Sequence, residues 1–216
     1  MDFAGAYSAE NLSFLAEGLV VTLIVAGASI VLSFLIGCVV GIIRYTQLPV
    51  LSPILLAGVE LIRNLPLLLI IFFMRFALPE IGINLGLVAA TVTGLTIFEA
   101  AMIAEIVRGG LASIEKGQIE AARSSGLGSL QTLWHIVLPQ GLRRMVPPLV
   151  SQFISLLKDT SLAVVISLPE LMHHAGIVIG HGYTYTIPIL LLVALIYFSV
   201  NFVLSVISRR LETRHV

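Results

Sequence analysis

Five ionisable side chains interrupt stretches that are otherwise apolar: Glu60, Arg63, Glu99, Lys158 and Asp159. A charge at the centre of a hydrophobic span costs about 2.5–3.5 kcal/mol on insertion scales, so one that persists there faces a partner, a cavity or a ligand. Glu60, Arg63 and Asn64 stand at i, i+3 and i+4, on one face of a helix, and Pro66 just beyond them breaks local hydrogen bonding and frees carbonyls. Lys158 and Asp159 are followed by Thr160 and Ser161, whose hydroxyls suit either a bound molecule or freed backbone. Together the set offers two cations for a carboxylate and three anions for an ammonium, the two charges that every α-amino acid carries. The same residues also read as internal ion pairs, Glu60 with Arg63 and Lys158 with Asp159, that hold helices together. Glu99 has no opposite charge within one turn, and Glu105 with Arg108, at i,i+3, reads as a structural pair. His173, His174 and His181 share a glycine-rich stretch, but adjacent histidines point opposite ways on most backbones, so no metal site is expected. Cys38, the only cysteine, reads as a small apolar packer and permits no intrachain disulfide.

The elements that carry these groups are expected to cross a membrane. Of 216 residues, 58% are apolar and 11% charged, against about 45–50% and about 25% in soluble domains. Mean hydropathy is +1.06 and the net charge is zero, which removes the case for nucleic-acid binding. Gly18 to Ile43 contains no charge for 26 residues, more than the roughly 20 that cross about 30 Å of hydrocarbon. Asp2, Glu10 and Glu17 precede it without a Lys or Arg, the reverse of a signal peptide's basic start. Further spans are predicted at 51–78, 85–107, 145–168 and 186–208, giving an all-α chain of five transmembrane helices in a single domain. Arg44, Arg108, Lys116, Arg123, Arg143, Arg144, Arg209, Arg210 and Arg214 all fall on one side of this arrangement, opposite Asp2, Glu10, Glu17, Glu80, Glu170 and a lone Arg75. The positive-inside rule therefore puts the N-terminus outside and the C-terminus in the cytoplasm. An odd number of spans cannot divide into two equal inverted repeats, so a second copy or a homologous chain is expected to supply the symmetry.

Residues 109–141 form the long cytoplasmic loop of this topology. Ser124 to Gly141 lacks charge but is too polar for a span, and it reads as a helical hairpin. Ser113 is placed to cap the first helix, Gly126 to end it and Ser129 to cap the second. Leu130, Leu133, Trp134, Val137 and Leu138 then recur as one apolar helical face, on a helix predicted to stop near Pro139. Such a face on a cytoplasmic loop must cover something.

Glu120-Ala121-Ala122, three residues, Gly126, nine residues and Ile136-Val137-Leu138-Pro139 resemble the EAA loop of ATP-binding-cassette import permeases at every fixed position. The surrounding AEIVRGGLASIEKGQIEAARSSG, LPQGLRRMVPPL, LLKDTSL and ELIRNLPLLLIIFF are similar to the polar amino-acid branch, and the likeness covers most of residues 12 to 212. The resemblance implies a type I importer fold and a dimer of permeases. It also implies a coupling helix that docks on a separate ATPase dimer through Gly117, Glu120, Ala121, Ala122, Gly126, Leu130, Leu133, Trp134 and Pro139. An extracellular amino-acid-binding protein and membrane lipid complete the implied partners. Phe98-Glu99-Ala100-Ala101 is similar to permeases for glutamine, glutamate or aspartate.

The division of labour has support within the chain. The only lysines, Lys116 and Lys158, follow Glu115 and Leu157, so no Gly-Lys-Ser/Thr phosphate loop exists. No cofactor is expected on this chain, and ATP with magnesium belongs to the implied ATPase. The competing reading is a self-contained ion-coupled carrier or channel, in which the same buried carboxylates bind a proton or cation. An intramembrane enzyme is disfavoured by the lack of a mid-span histidine beside a nucleophile.

Overall fold

The computed structural model describes residues 1–213, with side chains as far as Val206; Arg214 and the side chains of Arg209 and Arg210 lie outside the described residues. A short turn, α1 (Phe3–Ala6), leads into α2 (Ala9–Thr46), a helix of 38 residues whose N-cap Ser8 accepts from the Asn11 amide at 3.3 Å. Its buried side is a stripe of small and polar groups at helical spacing, including Gly18, Thr22, Ser29, Ser33, Gly37 and Gly41. Large apolar residues such as Val20, Ile24 and Leu35 are exposed instead. This inversion of the soluble pattern is what a lipid-facing helix requires, because only small residues let backbones approach where lipid already solvates the large ones. The stripe packs against α5 (Leu87–Ala112), which runs parallel to α2. A methyl group at Gly37 would stand 2.6 Å from Ile103 Cγ2, and one at Gly41 would stand 2.6 Å from the Ala104 carbonyl oxygen.

Between them, α3 (Leu51–Arg63) and α4 (Leu67–Phe72) meet at a bend of 100°. Pro66 lacks the amide that would continue the ladder and takes an extended ψ of 130°, as its position after the charged face predicts. The Glu60 carbonyl accepts both the Asn64 backbone amide at 3.2 Å and the Asn64 side-chain amide at 2.7 Å, which closes the last turn of α3. A π turn (Phe73–Ala77) and a 3-10 turn (Leu78–Ile81) carry the chain to Gly82.

After α5 come α6 (Lys116–Ser124), α7 (Ser129–Thr132), a π turn at Leu133–Val137 and α8 (Leu138–Asp159). A 3-10 segment (Thr160–Ile166), α9 (Leu171–Gly180) and α10 (Thr186–Thr213) complete the fold. Among the described residues, Ala9–Thr46, Leu87–Ala112, Ser129–Ile166 and Tyr183–Val206 are long and apolar enough to cross a membrane, and the bent α3–α4 pair makes a fifth candidate.

Three local expectations are corrected. Pro139 does not stop the helix: the wider π turn before it takes up the ring and the missing donor, so one helical run extends from Ser129 to Ile166. Ser113 does not cap α6 but closes α5, its hydroxyl donating to the Gly110 carbonyl at 2.7 Å while Arg144 donates to its carbonyl. Ser129 is not a cap either. Gly128 holds that position, and the Ser129 hydroxyl accepts instead from Arg123 at 2.6 Å.

Candidate functional site

The deep charged groups sit in three places. At the end of α3, Arg63 donates to Glu60 Oε1 at 3.2 Å, with both side chains partly exposed and the Arg63 Nε buried without a partner. In the middle of α5, Glu99 is fully buried; its Oε2 accepts from Gln152 Nε2 of α8 at 2.8 Å, and its Oε1 has no partner. Burial of a carboxylate with a single hydrogen bond is costly, and the second oxygen is an acceptor without a donor.

The third place is the end of α8, and here the ion-pair reading fails. Lys158 is exposed, Asp159 half-buried, and no salt bridge joins them, because successive side chains on a helix diverge by about 100°. The Thr160 and Ser161 hydroxyls donate to the Leu157 and Lys158 carbonyls, each at 2.7 Å, so their protons serve the backbone where α8 gives way to 3-10 geometry. Asp159 lies seven residues beyond Gln152 and shares its helix face. Among the described residues no hydrogen bond or ion pair links the three places to one another.

In the loop between α5 and α8, α6 ends in a Schellman turn. Gly126, at φ +89°, donates to the Arg123 carbonyl at 3.0 Å, and Leu127 donates to the Ala122 carbonyl at 3.2 Å. The predicted apolar face divides. Leu133, Val137 and Leu138 pack inward with Val107, Leu111 and Met145, whereas Leu130 and Trp134, four residues apart, are 72% and 63% exposed. Leu133 and Trp134 are adjacent within the π turn, so their side chains leave it in different directions. Gly117, Glu120, Ala121, Gly126 and Pro139 are exposed, while Ala122 is turned inward and buried.

Several polar residues escaped the sequence reading. Gln152 is an amide in an apolar run, a signal open to detection. Arg44, buried at 8% exposure, donates to Glu105 Oε2 at 2.5 Å, and Arg108 takes the other oxygen of the same carboxylate; the expected Glu105–Arg108 pair is thus a triad. Glu170, placed by charge only on the side opposite the basic loops, has a structural role. It is fully buried at the start of α9, where it accepts from the Met172 and His173 amides at 2.9 and 2.7 Å and from Tyr197 at 3.3 Å. His174 stacks on Phe14 with ring centres 3.9 Å apart and contacts the Phe14 carbonyl at 2.6 Å.

The comparisons with known proteins agree with this architecture. A family model described as a binding-protein-dependent transport system inner membrane component matches residues 30–215. The probable glutamine ABC transporter permease protein GlnP of Bacillus subtilis (strain 168) is 64% identical over 216 residues, covering 99% of each chain. The glutamine transport system permease protein GlnP of Escherichia coli (strain K12) is 36% identical over 202 residues, covering 93% of this chain and 92% of that one. The crystal structure of an amino acid ABC transporter with histidines superposes with a TM-score of 0.91 at 27% identity, covering 99% of both chains. The inward-facing MetNI methionine ABC transporter shares the fold, with a TM-score of 0.82 at 24% identity over 97% of this chain and 99% of that one. A match over most of the length, on a chain whose helices are built to face lipid, means that this protein belongs to the binding-protein-dependent transport system inner membrane components: it is the multi-pass permease subunit of an ABC importer and not itself an ATPase.

Proposed function

We propose that two permease chains, this one with a second copy or a homologue, form the pathway by which glutamine enters the cell. The permease of Bacillus subtilis, 64% identical and named for glutamine, supports that substrate. The observation that carries the site is the sealed Glu99 carboxylate, fixed by Gln152 through one oxygen and unpartnered at the other. In this reading Glu99 accepts from the substrate, through its ammonium or its side-chain amide. Arg63 and Lys158 attract the carboxylate, and Glu60 and Asp159 balance the ammonium. Asn64, Thr160 and Ser161 shape the break points, where helices end and carbonyls are free.

The energy comes from a separate ATPase dimer, which holds the ATP and magnesium. Leu130 and Trp134 offer it two apolar side chains on an otherwise polar hairpin, and the small surface at Gly117, Ala121 and Gly126 lets a docking groove close on the backbone. Glu120, Leu133, Ala122 and Pro139 set the angle of the hairpin from beneath and beside it. Nucleotide binding draws the ATPase pair together, the hairpins follow, and the midplane site opens alternately to each side. An extracellular binding protein delivers glutamine to the outer loops.

Reconstitution tests this reading. Labelled glutamine accumulates in vesicles only when the ATPase subunit and ATP are both present; uptake by the permease alone would return the chain to the carrier class. Gly126→Val tests the coupling half separately. A β-branched residue at φ +89° is strained by about 1–3 kcal/mol, so the variant inserts normally but loses its ATPase on purification. Normal co-purification and transport would overturn the docking role of the hairpin.

A further inference from the structure

The turn after α2, the first turns of α3 and Arg108 of α5 line an open pocket of about 380 Å³, outside the substrate site proposed above. Arg44 and Arg108 stand in its wall beside the Gln47 amide and the Ser52 hydroxyl, and Leu56 is among its apolar residues. Glu105 is shared between the two arginines, one oxygen to each, and neither forms another ion pair among the described residues. One carboxylate against two guanidinium groups leaves a positive charge uncompensated at a site with apolar walls. On the topology read from the basic loops, this end of both helices lies at the cytoplasmic face.

A second cavity, of about 360 Å³, lies along the same two helices toward the midplane and is apolar apart from Thr96. Ile36, Val40 and Arg44 follow one another at four-residue spacing on α2; Ile97, Ala101 and Arg108 follow at four and seven on α5. Each helix therefore turns one continuous stripe to both cavities, apolar in its deeper part and basic at its end. Eight residues of α2 and eleven of α5 separate the basic end from the deepest of these positions, or about 12 and about 16 Å at 1.5 Å per residue. One leaflet of hydrocarbon is about 15 Å deep.

The geometry points to a binding site for one anionic phospholipid of the cytoplasmic leaflet, its phosphate at Arg44 and Arg108 and an acyl chain laid along the apolar cavity between α2, α3 and α5. The unbalanced charge selects an anionic headgroup over a zwitterionic one, because phosphatidylcholine brings its own cation to a site that already holds an excess of positive charge. The apolar shaft selects a lipid over a free phosphate, which gains nothing from it.

The test uses the full chain assembled in its transporter complex, in nanodiscs of equal phosphatidylglycerol and phosphatidylcholine, released for native mass spectrometry. One phosphatidylglycerol per permease chain is expected to remain bound in preference to phosphatidylcholine. Arg108→Gln removes one arginine near the membrane surface and lowers that retention about fivefold. Leu56→Glu, at an exposed position on the cavity wall, lowers it by at least as much without touching the triad. Equal retention of the two lipids, or retention unchanged in both variants, overturns the proposal. Inorganic phosphate bound without phosphatidylglycerol enrichment overturns the lipid as occupant. Disulfide capture of Ile54→Cys by a second copy, in a Cys38→Ala background, overturns it as well, since a partner permease then covers the cavity.

Discussion

Toward the C-terminal end of α5, Glu105 divides its two oxygens between Arg44 and Arg108, whereas six residues earlier in the same helix Glu99 is sealed from solvent with a single amide donor and one oxygen left without a partner. Helix and residue type are the same, so the difference lies wholly in what other helices bring. Two guanidinium groups saturate Glu105 and make it a tie between α2 and α5. Gln152 fixes the Glu99 carboxylate without neutralising it. Hydrogen-bond saturation, together with depth, separates a carboxylate that ties two helices from one left with an open acceptor, which in the proposed function meets the substrate.

Removing the tie has the largest expected effect. Glu105→Ala leaves Arg44 charged with its side chain 6% exposed, and breaking such a pair costs about 3–5 kcal/mol. Thermal unfolding in detergent should show a lower midpoint than wild type, and Glu105→Gln should recover part of it. A midpoint unchanged in Glu105→Ala would break the comparison at its structural end.

Glu99→Gln sharpens the other end. Volume is kept and a charge is lost, so insertion and ATPase retention persist while glutamine uptake weakens. A charge-assisted hydrogen bond contributes about 1.5–3 kcal/mol, equivalent to roughly ten- to more than a hundredfold in apparent affinity. Uptake titrations with glutamine and glutamate separate the roles: a group reading the ammonium affects both, and a group reading the side chain shifts the preference between them. Affinities within about twofold of wild type for both would make Glu99 structural.

The smallest effect belongs to the third carboxylate. Glu60 and Arg63 are partly exposed and 3.2 Å apart, a geometry that contributes about 0–1 kcal/mol. Glu60→Gln should leave the unfolding midpoint nearly unchanged, so any loss of uptake in that variant reports on substrate rather than on folding.

The sequence exposes local constraints more readily than distant partners. The need for a left-handed residue at Gly126 and for a break at Pro66 is written in single residues and their neighbours, and both occur as expected. The charges were also visible, because a charge in an apolar run is conspicuous. Their partners were not: Gln152 is 53 residues from Glu99 and Arg44 is 61 from Glu105, separations across which no periodicity speaks. Pro139 misled for a physical reason, since the rule that proline ends a helix assumes α geometry on both sides and a π turn relaxes it. Charge alone places Glu170 on the side opposite the basic loops, and nothing in its spacing announces the backbone amides at the start of α9 that give it a buried place.

The glycines of α2 carry a mechanical consequence. With Gly37 and Gly41 set against the Ala100 and Ala104 carbonyls, the surfaces of α2 and α5 interlock like gear teeth, and axial slip would drive side chains into backbone. The two helices therefore translate and tilt as one beam. In the proposed cycle, a push arriving beneath α5, where Arg144 donates to Ser113, would travel along both helices together. The proposed opening motion would then draw its compliance from breaks in the helices, of which the 100° corner at Asn64–Pro66 is one.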